Sequence, residues 1–176
     1  MLLPAVQHCA EQLLPGAVDN SIRSHRYTSF STYKPFHNCN HVQDTFHEKR
    51  LKIKGLLQKS YSVIHLSFDL WTSPNNLAFA AIVAHFRSSA TKKIESIVIG
   101  FREIRGAHTG ENIAYAVQRV LQDYDLDVHK LGCFVLDNAP NNDTAIAALG
   151  RGMDWTKKQC KERRLRCLGH IINLCA

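Results

Sequence analysis

The chain has no CxxC pair, no long apolar run and no leader-like start. Its six cysteines, Cys9, Cys39, Cys133, Cys160, Cys167 and Cys175, stand at irregular spacings. A disulfide framework or a thiolate zinc site needs paired, regular spacing, so the pattern argues against a stapled secreted fold and for a reducing compartment. His37, His41 and His47 cluster near Cys39 but lack the tight, repeated spacing of zinc ligands. The opening MLLPAVQHCAEQLLPG has neither a basic start nor a sustained apolar stretch, unlike a secretory signal. No segment approaches the roughly 20 apolar residues of a membrane-spanning helix. A soluble, intracellular protein is the expectation. Acidic residues are also in deficit: 15 Asp and Glu face 22 Lys and Arg, a net charge of +7. That excess suits a polyanionic partner, although charge alone sets an electrostatic footprint and not a function.

What is present is organised around Val63–Ser73, VIHLSFDLWTS. Ile64, Leu66, Phe68 and Leu70 alternate with His65, Ser67, Asp69 and Trp71, the period of two that marks a β-strand. Apolar residues fall on both faces, so a central strand covered on each side is expected, with Trp71 in the core. Asp69 then stands near the end of an apolar strand. Burying a carboxylate costs several kcal/mol unless a cation or a donor meets it. A second carboxylate, Asp137, ends the apolar run LGCFVLD in the same way. The alternative for Asp137 is plainer: followed by NAPNND, it can cap the next helix.

Residues 1–39 read as an irregular N-terminal segment. Arg23, Arg26, Tyr27 and Tyr33 form either a basic–aromatic patch or a solvated tail. A second region, 40–176, starts with a basic amphipathic helix over Asn40–Lys59. Its apolar positions are Val42, Phe46, Leu51, Ile53, Leu56 and Leu57. Lys49, Arg50, Lys52 and Lys54 on it are candidates for weak contact with DNA phosphates, against the default of a solvated face. Strands are expected at Val63–Leu70, Leu77–Phe86 and Ile94–Phe101, joined by short polar turns and therefore antiparallel. Thr109 is the candidate N-cap of a helix reaching Tyr124, with one apolar stripe from Ile113 to Leu121. Leu131–Leu136 is a fourth strand reached through that helix, so parallel pairing is expected. A helix follows from Pro140, ended by Gly150–Gly152. Asp154–Arg164 reads as a polar, basic connection, Leu165–Leu168 as a fifth strand, and His170–Cys175 as the start of a helix without a visible stop signal.

Three antiparallel strands, a helix, a parallel strand, a helix, a fifth strand and a helix make up the ribonuclease H-like order. The fold class expected is α/β, a ribonuclease H-like mixed five-stranded sheet with flanking helices, cut short at its C-terminal side. In that order the strands of Asp69 and Asp137 are neighbours, about 5 Å apart. Two such carboxylates can share a divalent metal, and clustered acids are what two-metal phosphoryl transfer requires.

Four blocks carry a resemblance: SFDLWTSPN at Ser67–Asn75, FREIRGAHTGENIA at Phe101–Ala114, LGCFVLDNAPNNDTA at Leu131–Ala145 and RRLRCLGHIINL at Arg163–Leu174. In this order they closely resemble the hAT superfamily of DNA transposases, in particular fungal transposase-like proteins. The resemblance implies that Asp69 and Asp137 match the first two acids of a DDE triad, holding Mg²⁺ or Mn²⁺ in the intact family. It implies that Cys167 and His170 match the CxxH motif near that centre. It further implies a DNA partner, a nuclear location, and homo-oligomers only in full-length members. No counterpart of the family's DNA-binding zinc finger is seen in 1–36. The third catalytic acid, a Glu, belongs beyond the CxxH helix, so a truncated transposase remnant without activity of its own is expected. Two other readings stand beside it. An active metal-dependent nuclease of the same fold would need a further acid, with Glu95, Glu103, Glu111, Asp143 and Asp154 as candidates. A non-enzymatic basic module would bind DNA or a partner by charge alone.

Overall fold

The computed structural model describes residues 39–175. The expectations for 1–38, including the Arg23, Arg26, Tyr27 and Tyr33 patch and His37, lie outside the described residues. In chain order the elements are α1 (Cys39–Gln58), β1 (Ile64–Thr72), β2 (Ala78–Arg87), β3 (Ile94–Ile104) and α2 (Gly110–Asp123). There follow a short 3₁₀ turn (Val128–Lys130), β4 (Leu131–Leu136), α3 (Pro140–Gly152), α4 (Lys157–Arg163), β5 (Arg164–Arg166) and α5 (Leu168–Cys175). One sheet holds all five strands in the order β3-β2-β1-β4-β5. The pairs β1/β2 and β2/β3 are antiparallel, and β1/β4 and β4/β5 are parallel. This is the mixed sheet expected from the sequence. Among the described residues, no helix is long and apolar enough to cross a membrane.

Side-chain alternation decides which face of the sheet is buried. Ile64, Leu66 and Phe68 of β1 and Phe134 and Leu136 of β4 are buried in one cluster. Ile113, Val117, Val120 and Leu121 of α2 and Ala145, Ile146 and Leu149 of α3 complete it. Thr109 caps α2 by accepting the Asn112 N–H at 3.3 Å. Gly110 sits where α2 crosses α3. A Cβ there would lie 2.2 Å from Thr144 Oγ1 and 2.6 Å from the Ala145 nitrogen, so a residue with no side chain is needed for the two helices to approach.

The structure corrects several expectations. Helices α2 and α3 pack on the same face, so β1 is covered by them on that side and not on both. The other face carries His65, Ser67, Asp69 and Trp71, of which Asp69 and Trp71 are exposed. Trp71 is not core: it is 40% exposed and packs at tilted angles with Phe79 and Phe101 in a surface cluster. Helix α1 forms, but Val42, Phe46 and Leu51 are exposed and only its last turns, with Ile53, Leu56 and Leu57, meet the core. The Asp154–Arg164 connection contains helix α4, started by a capping box between Thr156 and Gln159. The fifth strand is Arg164–Arg166, and Leu168 already belongs to α5.

Candidate functional site

The two acids arrive at one place through strand register. In the parallel β1/β4 ladder Ser67 is level with Val135. Two residues further on come the acids, Asp69 inside β1, which continues to Thr72, and Asp137 one residue past the end of β4. At the usual strand spacing the backbones of β1 and β4 are about 5 Å apart where they pair. Both line a cleft of about 480 Å³, together with Ser67, Val135, Cys167, Gly169, His170 and Asn173. The four residues expected at the centre, Asp69, Asp137, Cys167 and His170, are thus gathered in one cleft.

Their environments differ. Asp69 is exposed, and among the described residues its carboxylate makes no hydrogen bond or ion pair. Asp137 is half-buried. Its Oδ1 accepts the Ala139 N–H at 2.9 Å and the Asn142 side-chain amide at 2.5 Å. The capping alternative is therefore partly realised: one oxygen of Asp137 holds the turn into α3. Asn142 is buried in that turn and fixes the carboxylate. Cys167 and His170 reach the cleft because the chain leaving β5 is tied to the end of β4, where the Cys167 N–H donates to the Leu136 carbonyl at 2.7 Å. Arg164 secures the same corner. Its guanidinium donates to the Leu136 carbonyl at 3.2 Å and to the Asp137 carbonyl, and pairs with Asp143 at 3.0 Å.

A row of polar side chains crosses the open face one step back from the acids. His85 sits between Ser67 and Ser96, with Oγ–N distances of 2.8 Å on both sides. On the neighbouring strand, His65 Nδ1 accepts the Cys133 N–H at 3.0 Å. A Cβ on residue 132 would fall 2.7 Å from His65 Nδ1, so Gly132 makes room for that ring. Burial, and then the neighbouring His65, hold the His85 pKa below its ordinary 6.5.

The two carboxylates lining this cleft offer hard oxygen ligands of the kind that suit Mg²⁺ or Mn²⁺. Among the described residues no group of three or more His, Cys, Asp and Glu side chains gathers in a metal-holding arrangement. Two carboxylates supply fewer protein ligands than a closed two-ion cage needs. The acids considered as further ligands stand elsewhere. Asp143 pairs with Arg164 and Glu111 with Arg151, and neither these nor Glu95, Glu103 and Asp154 line the cleft. On α1 three of the four candidate cations are paired. Arg50 pairs with Asp123 at 3.0 Å and Lys54 with Asp125, tying α1 to the end of α2. Lys52 pairs with Glu48 one turn away, at 2.7 Å. Lys49 is exposed to solvent.

Asn142, Arg164 and His85 were not singled out by sequence reasoning. Asn142 had a signal in NAPNND, an amide shortly after an acid that ends a strand. His85 had a weaker one, a lone imidazole inside the apolar strand AFAAIVAHFR. Arg164 had none, because its role depends on where β5 pairs.

Comparison with known proteins agrees with this geometry. A family model described as the ZBED1 RNase-like domain matches residues 67–164, more than half of the chain and a span containing both Asp69 and Asp137. A protein of Talaromyces stipitatus named as a candidate transcriptional regulator, tpeD, is 30% identical over 139 residues, covering 77% of this chain and 16% of that protein. A Zea mays protein named for the AC transposase is 25% identical over 140 residues, covering 77% of this chain and 17% of its own length. A second maize protein, named for the AC9 transposase, is also 25% identical over 140 residues. The chain thus spans about a sixth of the length of the curated relatives it matches. With its mixed five-stranded sheet and a family match across both strand-end acids, the chain belongs to the hAT-related transposase-like proteins and carries their ribonuclease H-like domain.

Proposed function

We propose that this chain is part of a DNA strand-transfer core, in which Asp69 and Asp137 are the first two metal-binding acids and Cys167 and His170 form the wall opposite them. The observation that carries the reading is the parallel β1/β4 ladder, in which Ser67 is level with Val135 two residues before each acid, together with the one cleft that both acids line. A divalent ion bound there would polarise a phosphate oxygen and activate the attacking oxygen. The chain's own contribution is positioning. Asn142 holds Asp137 in one orientation, Arg164 pins the strand end behind it, and Asp69 keeps its carboxylate open to solvent and ion. With no further acid of the described residues in the cleft, these residues bind an ion weakly and do not turn substrate over by themselves. The partner in this reading is DNA and the place of action the nucleus, in line with relatives named for transposases and a transcriptional regulator.

The test is nicking and strand transfer on labelled duplex DNA with Mn²⁺, comparing the native chain with Asp69→Asn and Asp137→Asn. No cleavage by any of the three is expected. Metal-dependent cleavage by the native chain that both substitutions abolish would overturn the inactivity and show that a local acid completes the site.

A further inference from the structure

A second cleft, of about 630 Å³, lies between α3, α4 and β5. It is lined by five cations, Arg151, Lys157, Lys161, Arg164 and Arg166, and by a single acid, Asp143. Arg164 and Asp143 neutralise each other at 3.0 Å. Arg151 has only a long, exposed contact with Glu111, at 3.5 Å. Lys157 and Lys161, one turn apart on α4, are exposed and have no hydrogen bond or ion pair among the described residues. Like charges lining a concave surface focus a positive potential there. This cleft therefore displays part of the chain's excess of +7 to solvent, whereas Arg50 and Lys54 of α1 are consumed internally.

We infer that this cleft is a binding site for the phosphate backbone of nucleic acid. The inference rests on the reading that the protein acts on DNA and adds where the strand is held. The contact is to phosphates and not to bases. The one aromatic side chain lining the cleft, Trp155, has its ring occupied by Arg163, 4.5 Å from the centroid, and packed against Phe134, 5.8 Å away between centroids. That ring is not left as a stacking platform, and contacts to phosphates carry no sequence information, so binding is independent of sequence. The cleft also adjoins the acids. Arg164 and Arg166 share one side of β5, and at the strand ends they reach the Asp137 carbonyl and, at 2.6 Å, Asn138 Oδ1. A backbone held by Lys157, Lys161 and Arg151 can pass over that edge toward Asp69 and Asp137.

The experiment measures affinity for a random-sequence DNA duplex in EDTA over a range of salt concentrations. Three proteins are compared: the native chain, Lys157→Gln/Lys161→Gln, and Lys92→Gln/Lys93→Gln, which removes the same charge from the exposed turn between β2 and β3. Native affinity is expected near 10⁻⁴–10⁻⁶ M, falling with salt. Loss of two phosphate contacts from the cleft should make the log–log salt slope shallower by about 1.8, at roughly 0.9 per contact. The β2–β3 turn variant should keep the native slope. Equal effects of the two double variants, or no effect of the α4 pair, would overturn the inference. So would competition by polyglutamate as effective as that by DNA. Because EDTA removes divalent ions, this result is separate from ion binding at Asp69 and Asp137. A failed strand-end site leaves the slope comparison intact, and a failed cleft leaves the carboxylate pair intact.

Discussion

The two faces of β1 are built from alternate residues of one strand, yet they have opposite physical characters. Ile64, Leu66 and Phe68 point into the cluster formed with α2 and α3 and are buried. His65, Ser67, Asp69 and Trp71 point to a side where Phe101 and Val98 of β3 remain about 60% exposed. One face is apolar and well packed, and it holds the chain together. The other is polar at its centre and aromatic at one end, and it presents the acids. The separation matters for chemistry: a carboxylate on the covered face would have to be desolvated, whereas Asp69 on the open face keeps its charge in contact with water.

The largest effect that would break this contrast is a cavity on the covered side. Phe134 is fully buried, and Phe134→Ala should cost about 3–5 kcal/mol. Trp71→Ala removes a larger side chain from the open face, where mainly the contacts to Phe79 and Phe101 are lost. It should cost about 1–2 kcal/mol. Urea denaturation of the two variants checks this, and a Trp71 loss as large as that of Phe134 would mean that the open face is packed as a core.

A smaller effect sharpens the account of the polar row. His85 is held neutral by burial and by His65, so its folded pKa lies below the ordinary 6.5. The sign follows from proton uptake: below that value the unfolded chain binds a proton that the folded chain resists. The stability linked to His85 is present above about pH 6.5 and is lost as pH falls from there through the depressed folded pKa. Thermal unfolding between about pH 5 and pH 8 should show a steeper acid-side loss for the native chain than for His85→Gln. Equal slopes would show that the imidazole titrates as it does in the unfolded chain.

Much of this architecture was legible because it rests on local patterns. The alternation in VIHLSFDL, the stripe from Ile113 to Leu121 and the Thr109 cap each encode an element and its buried side, and chain order then determines which strands are neighbours. Asp69 and Asp137 were legible for a related reason: a carboxylate ending an apolar strand is conspicuous. What could not be read depended on contacts between distant segments. Trp71 looks like core until the helices are found to share one face. Val42, Phe46 and Leu51 have helical spacing, but spacing does not say whether anything covers them. Arg50 and Lys54 look like a basic stripe until Asp123 and Asp125 are brought beside them. Helix α4 was hidden because KKQCKER is short and polar, and its start depends on the reciprocal Thr156–Gln159 cap.

The central claim is that Asp69 and Asp137 share one divalent ion in the cleft they both line. Titration of the DNA-free chain with Mn²⁺, followed by electron paramagnetic resonance of the unbound ion, tests it most directly. Asp69→Asn and Asp137→Asn are the appropriate variants. An amide at the second position keeps an acceptor oxygen for the Ala139 N–H and the Asn142 amide that Asp137 now holds, so the turn into α3 survives while the charge is lost. The account predicts weak binding of one ion by the native chain, lost with Asp69→Asn and lost equally with Asp137→Asn. Binding that survives either substitution unchanged would contradict it.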